Sequence, residues 1–372
     1  MMVRRPSVTA VLLTFFFIIA VVFMFRRNHE MERPRPIQST EVTAPSPMIP
    51  PETSRWWPSM GSWAGIHFWG VEPDSVDPLA DDALQTTQGL EMTLSRYWSD
   101  SDVSRVNRQA GDGEPVPVGD DLVRLMIRTL DLVTATDGCF DPTVAPLVTL
   151  WGLDLPWRGQ DVLPPIRSRI EAALGLVGSD GIDLDPGAGT LRLTRTGMDL
   201  DLGGIGKGYT LDRAAGMLEG RIRGSALLIL GGQIMILGPS PEGDRWRLGI
   251  LDPRDPDRIA AVASITGGSL ATSGDYERYV FWEGERHGHV LDPRSGYPVT
   301  GSTAVTVWAP DATMADAWST ALLVAGPDEG LRLLAGRPEL GVVWIDDPGD
   351  GVLSPEHFHV AGALQGRIEI LP

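Results

Sequence analysis

Nineteen consecutive residues without a charge, Ser7 to Phe25, stand between the pairs Arg4-Arg5 and Arg26-Arg27. That run is long enough to cross the hydrocarbon core of a bilayer, and longer than most signal-peptide cores. No small-x-small cleavage site follows it, since the segment ends Val22-Phe23-Met24-Phe25-Arg26-Arg27. An uncleaved transmembrane anchor over residues 1–27 is therefore expected, with a cleaved signal as the alternative. Two arginines flank each end, so charge alone does not orient it. Residues 31–58 then hold seven prolines among polar side chains. Such a composition cannot bury a core, and residues 28–55 read as an extended linker. Folding is left to residues 56–372.

The composition of the chain narrows the partners. Its formal net charge of −18 repels phosphate backbones, so nucleic-acid binding is not expected. Cys139 is the only cysteine, which excludes an intrachain disulfide, a multi-cysteine zinc site and a lipid-bearing cysteine after the apolar run. Of 31 basic residues only Lys207 is a lysine, and it lies in a glycine-rich stretch.

Periodicity places the elements. Leu122, Leu125, Met126, Leu130 and Val133 recur at helical spacing over residues 121–136 and stop at Asp137-Gly138. Asp141-Pro142 reads as an N-cap with proline at N1, opening a helix that carries Val144, Leu147, Val148 and Trp151. Residues 191–202 alternate like strands around a turn, and Leu211, Ala214, Ala215 and Leu218 mark the next helix. Strands are expected at 226–230, 234–237, 246–251, 260–265, 277–282, 303–308, 341–345 and 365–371, and a helix from Met314 to Val324. Paired strands with helices in blocks favour an α+β fold over a doubly wound sheet.

Three stretches carry chemistry. Met198-Asp-Leu-Asp-Leu-Gly-Gly-Ile-Gly-Lys-Gly-Tyr209 runs into a glycine-rich turn and a helix start, a place suited to an anion. It lacks the P-loop hydroxyl and the dinucleotide-fold glycine spacing. Ala271-Thr-Ser-Gly-Asp-Tyr-Glu-Arg278 precedes His287-Gly-His-Val-Leu-Asp-Pro-Arg-Ser-Gly296. His287 and His289 would share a strand face, so a two-histidine metal site is one reading. Ala315-Asp-Ala-Trp-Ser-Thr320 places Asp316 and Thr320 at i and i+4 on a helix, with local backbone bonding as the alternative.

In this order the stretches resemble the ApbE family, the FAD:protein FMN transferases. The resemblance also takes in Met60-Gly61-Ser62, Ser101-Asp-Val-Ser-Arg-Val-Asn107, Gly138-Cys-Phe-Asp-Pro-Thr143, Trp151-Gly152, Gly231-Gly232 and His289-x-x-Asp-Pro-x-x-Gly296, and spans residues 60 to about 326. Three positions depart from the family pattern: Ser62 for Thr, Cys139 for Ala, and Gln233 where many members have Asp.

The resemblance implies a T-fold-like, internally duplicated α+β domain. It also implies transfer of FMN from FAD to a Thr or Ser hydroxyl of an acceptor flavoprotein, with release of AMP. By the same resemblance His289 is the base or positioning group, and Mg²⁺ is held by Asp316, Thr320 and the Gly204 carbonyl. Met60, Asn107, Cys139, Phe140, Asp141, Asp201 and Lys207 match positions lining the FAD site. Thr300-Gly-Ser-Thr303 is similar to the acceptor motif, but Tyr297 replaces its required Asp, so self-modification is not expected. With the anchor, this implies a single-pass protein of the bacterial inner membrane with a periplasmic catalytic domain. The rival readings are a Mg²⁺-dependent FAD pyrophosphatase, with water replacing the acceptor, and a non-catalytic FAD-binding protein.

Overall fold

The computed structural model describes residues 52–371, apart from 112, 155–159, 162, 277–278, 283 and 350–351. The expected anchor, and the expected linker up to residue 51, lie outside the described residues. Among those described, no helix is long and apolar enough to cross a membrane.

The helices are α1 (Pro73–Leu94), α2 (Asp102–Arg108), α3 (Asp120–Ala135), α4 (Ala145–Leu150), α5 (Arg167–Leu174), α6 (Gly206–Leu218) and α7 (Ala312–Leu333). The last is kinked at Gly326, whose φ of 66° and ψ of 178° leave the helical region. The frame is an eight-stranded sheet. Its edge-to-edge order is Thr53–Ser59, Ser62–Trp69, Ser225–Leu230, Gln233–Leu237, Gly268–Gly274, Ser302–Ala309, Gly341–Asp346 and Phe358–Gly362. Every neighbouring pair is antiparallel. Each half of the sheet follows one order: two strands, a helix (α6 or α7), two strands. Helices α1 to α5 belong to a long insertion before α6, together with a small sheet of Val116–Pro117, Thr190–Leu193 and Ile182–Asp185.

Both faces of the main sheet are covered, which is why its central strands are apolar almost throughout. Ala271, Val305, Val307, Val342 and Trp344 point into the core beneath α3, α6 and α7. Their alternate neighbours Leu270, Ala304, Val343 and Ile345 pack the opposite way. There they meet Trp246, Leu248, Ala261 and Ala263 of a second, three-stranded sheet formed by Trp246–Asp252, Asp255–Ile265 and Ile368–Ile370. The period of two along each strand thus feeds two cores at once. Helix α7 is buried almost all round: Ala315, Ala317, Trp318, Ala321 and Leu322 are all at most 1% exposed.

Several local expectations change. The Asp141 carboxylate does not cap α4, whose N-cap is Val144. It accepts instead from Thr143 N (2.8 Å), Thr143 Oγ1 (2.5 Å) and Ser179 N (3.2 Å), closing a local turn onto the insertion. Of residues 191–202 only the stretch to Leu193 is a strand. Met198, Leu200 and Leu202 are buried, so their alternation reflects an irregular segment with every second side chain in the core. Helix α1 carries no expectation from the sequence. Its buried side is built from Val76, Leu79, Ala80, Ala83, Thr87, Leu90 and Leu94, and the small and polar members dilute the apolar period.

Helices α6 and α7 approach closely at Gly208. A Cβ there would run into the Ala312 carbonyl and come within 2.8 Å of the Asp316 Cβ. Gly208→Ala should therefore push the helices apart at a cost on the order of 1–3 kcal/mol, the usual range for overpacking. For a domain of this size that is a fall in melting temperature of several degrees, roughly 2–4 °C per kcal/mol. An unchanged melting temperature would show that the contact can relax freely.

Candidate active site

A cleft of about 470 Å³ opens where the two halves of the sheet meet the insertion. Its walls come from segments far apart in sequence: the Met60-Gly61 turn, residues 94–98, Cys139–Asp141, the glycine-rich loop, Thr272–Gly274, His289–Leu291 and the first turns of α7.

The Met60-Gly61 turn joins the first two strands with Ser59 paired to Ser62. A two-residue hairpin of this kind needs positive φ at both positions, and Met60 (φ 50°) and Gly61 (φ 68°) supply it. For a residue with a side chain the left-handed conformation costs about 1–2 kcal/mol. The strain is tolerated at a position whose side chain lines the cleft, with Sδ 3.6 Å from Thr210 Oγ1.

The glycine-rich loop is pinned before it enters α6. The Asn107 amide both donates to Leu200 O (3.0 Å) and accepts from Leu200 N (2.9 Å). Asp201 N donates to Pro142 O (2.7 Å), and Asp201 Oδ1 accepts from Gly203 N (2.7 Å). Lys207 follows in the first turn of α6 and places Nζ 3.3 Å from Gly203 O. Gly231 leaves room for its stem, because a Cβ there would sit 3.0 Å from Lys207 Cδ.

Opposite the loop stands α7. Asp316 is 5% exposed, and its Oδ2 accepts from Gly208 N at 2.8 Å. Thr320 lies one turn on; its hydroxyl is 3.5 Å from the Asp316 carbonyl and 3.3 Å from Ser273 Oγ. Ser273 Oγ in turn meets Ser319 Oγ at 2.7 Å. Gly204 lies against the same hydroxyl, since a Cβ on it would fall 3.0 Å from Thr320 Oγ1. One carboxylate, hydroxyls and nearby backbone carbonyls form a donor set suited to a hard cation completed by water or phosphate oxygens. Among the described residues no group of three or more His, Cys, Asp or Glu is placed to hold a metal.

The floor of the cleft is apolar. Cys139 is fully buried and Phe140 is 4% exposed. Burial pushes the Cys139 thiol up to about 11, which leaves it protonated and poorly nucleophilic at neutral pH. Burial also raises the Asp141 carboxyl, against the pull of its bonds from Thr143 and Ser179. At the mouth, Tyr97 and Trp98 are 64% and 54% exposed, offering ring faces for stacking.

His289 follows the short strand Glu285–Gly288, one residue beyond its end. The two histidines therefore do not share a strand face as expected. His289 lines the cleft, whereas His287 is buried with its ring 5.0 Å from that of Trp282.

Of the residues singled out from the sequence, Met60, Cys139, Phe140, Asp141, Asp201, Gly204, Lys207, His289, Asp316 and Thr320 all line this one cleft. Asn107 does not; it reaches the cleft only through its hold on Leu200. Sequence reasoning missed Arg96, Tyr97 and Trp98, and it singled out the stretch holding Thr272 and Ser273 without giving their hydroxyls a role. The adjacent aromatics were a readable signal, whereas Arg96 is one arginine among thirty.

Known proteins align with this arrangement. The ApbE family model matches residues 60–344. A Klebsiella pneumoniae FAD:protein FMN transferase is 33% identical over 293 residues, covering 76% of this chain and 83% of its own. The Escherichia coli K12 protein of the same name is 30% identical over 90% of this chain and 92% of its own. Among solved structures, the ApbE protein of Thermotoga maritima superposes with a TM-score of 0.74 at 29% identity, covering 85% of this chain and 98% of that one. The apo flavinyl transferase ApbE of Pseudomonas stutzeri does so with a TM-score of 0.68 at 31% identity, covering 83% and 93%. From the Met60 turn to the strand Gly341–Asp346, then, the chain belongs to the ApbE family.

Proposed function

We propose that this chain is an FAD:protein FMN transferase, which moves FMN from FAD onto a Thr or Ser hydroxyl of an acceptor flavoprotein and releases AMP. The observation that carries the reading is the convergence of Lys207, Asp316, Thr320 and His289 on one cleft. In the reaction the acceptor oxygen forms a bond to the flavin-side phosphorus as the bond from that phosphorus to the bridging oxygen breaks. The electron pair leaves with AMP, a good leaving group because the second pKa of a phosphate is about 6. The hydroxyl is the poorer partner, so catalysis must act on the nucleophile and on charge at phosphorus. His289 orients the hydroxyl and takes its proton. The Lys207 ammonium faces the pyrophosphate oxygens. Asp316, Thr320 and the Gly204 carbonyl would hold Mg²⁺, which supplies further positive charge at those oxygens when bound.

Met60, Cys139, Phe140, Asp141 and Asp201 line the FAD side, Asn107 holds that wall through Leu200, and Tyr97 and Trp98 offer surfaces for a flat heterocycle. The recurring order of two strands, a helix and two strands supports a T-fold-like duplication. The apolar run Ser7–Phe25 supports a single-pass anchor in a bacterial inner membrane, with the catalytic domain periplasmic and acceptors drawn from that compartment.

Purified protein given FAD, Mg²⁺ and an acceptor bearing a Thr in the family's acceptor motif should add one FMN to the acceptor, read by mass, with one AMP per transfer. Free FMN and AMP with an unmodified acceptor would mark a pyrophosphatase instead, and FAD bound but uncleaved a binding protein. Asp316→Ala should abolish transfer without loss of the fold, because it removes the only carboxylate proposed for the metal. His289→Ala should lose transfer by roughly 10²-fold or more, with FAD affinity changed far less; a variant that binds no FAD would make His289 a cofactor ligand. For the anchor, full-length protein should stay in the membrane fraction through a high-salt wash with residues 1–25 present. A mature chain beginning near residue 28 would contradict it.

A further inference from the structure

Arg96 is half-buried in the cleft wall and meets three partners. Its side chain is 9% exposed, with Nη2 2.7 Å from Asp199 Oδ2 and Nη1 3.2 Å from Asp201 Oδ2. Nη2 also reaches Thr149 Oγ1 on α4 at 3.2 Å. The guanidinium thus ties residues 95–98, which carry Tyr97 and Trp98, to the segment entering the glycine-rich loop. From there a relay runs inward: Asp201 Oδ1 accepts from Gly203 N at 2.7 Å, and Gly203 O lies 3.3 Å from Lys207 Nζ. Only a planar fork satisfies two carboxylates and a hydroxyl from one position; a lysine ammonium would not span them.

The charge around the cleft gives this geometry a purpose. Its lining carries four carboxylates, Glu91, Asp141, Asp201 and Asp316, against two cationic side chains, Arg96 and Lys207. Asp199 stands just behind Asp201 on the same guanidinium. Burial already pushes the Asp199 carboxyl above its ordinary range, with the Arg96 charge pulling the other way. A ligand with a pyrophosphate meets an adverse field here unless the wall carboxylates are neutralised where they stand.

We infer that Arg96 is a positioning and charge-balancing residue for the dinucleotide: it holds the 199–203 segment and cancels Asp199 and Asp201, so that the pyrophosphate can approach the loop. This rests on the reading that the cleft takes FAD.

The test measures FAD affinity and steady-state constants on the full-length protein in detergent, with Mg²⁺ present. Arg96→Met keeps the stem and removes the charge. It should weaken FAD binding about tenfold or more, equivalent to about 1.4 kcal/mol, and raise KM for FAD in step, with kcat at saturating FAD within about threefold. Adding Asp199→Asn to that variant should recover most of the loss. Asp199→Asn alone keeps an oxygen for Arg96 and removes one negative charge; it should tighten FAD binding severalfold, less so at high salt as screening grows. A purely structural arginine predicts no recovery in the double variant. If Arg96→Met does not fold, Arg96→Lys, which keeps the charge and loses the fork, should keep more of the FAD affinity than Arg96→Gln, and equal losses in the two would overturn the charge-balancing role. Unchanged or weaker FAD binding in Asp199→Asn, or a loss confined to kcat in Arg96→Met, would overturn the assignment alone. A wild-type chain that binds no FAD would overturn the functional reading and this inference with it.

Discussion

The hydrogen bond from Gly208 N to Asp316 Oδ2 joins the parts of the cleft that must act together. It crosses the contact between α6 and α7 at a point where no Cβ fits. One bond therefore ties the glycine-rich loop of one half of the sheet to the acidic helix of the other. The distance between Lys207 and the Asp316–Thr320 turn is set by this short bond together with the close approach of Gly208 to the Ala312 carbonyl. Because both helices lie on a sheet buried on both faces, the cradle inherits the rigidity of the whole core.

Electrostatics around that cradle is local. The chain carries a net charge of −18, yet exposed charges more than a Debye length away, about 8–10 Å in ordinary salt, are largely screened. Groups in the cleft wall are screened far less, so a phosphorylated ligand there would feel Arg96, Lys207, Asp201 and Asp316 before the distant surface charges. An acidic protein can bind an acidic ligand in this way. The global charge still argues against long polyanions, which would have to lie along the outer surface.

How much of this was legible in the sequence depends on what kind of physics set each feature. The helix at 121–136 was readable because it buries a broad apolar stripe, and the one at 314–324 because it is buried almost all round. The cleft residues were readable because their motifs occur together and in family order, so ten of the eleven chosen residues line one cavity. Asp141 was misread because a local Asp-Pro pattern suits a helix start, whereas the carboxylate found donors on Thr143 and, far along the chain, Ser179. Asn107 is the one chosen residue outside the cleft lining, and its amide is paired with the Leu200 backbone. Arg96 left no signal, since its meaning lies in reaching Asp199 and Asp201, over 100 residues away. Local chemistry is written in the sequence; long-range pairing of common residues is not.

The two sides of the cleft differ in how they are held, and this bears on how such a site can accept a protein as a substrate. The side formed by the glycine-rich loop and α7 is fixed by the Gly208–Asp316 bond and by helix packing within the core. The His289 side hangs from the hairpin of Tyr279–Trp282 and Glu285–Gly288, at the edge of a small cluster around Leu147, Trp151 and Val280. That hairpin rests on Asp275: a Cβ on Gly288 would come 2.7 Å from its Cα, and Arg254 and Arg286 both pair with its carboxylate. A dinucleotide, identical in every turnover, suits the rigid side. An acceptor chain must bring its hydroxyl in from outside, and under the proposed reaction the side that would receive it stands on a small hairpin outside the main sheet, held by the apolar cluster around Trp151 and Val280 and by the ion pairs of Asp275.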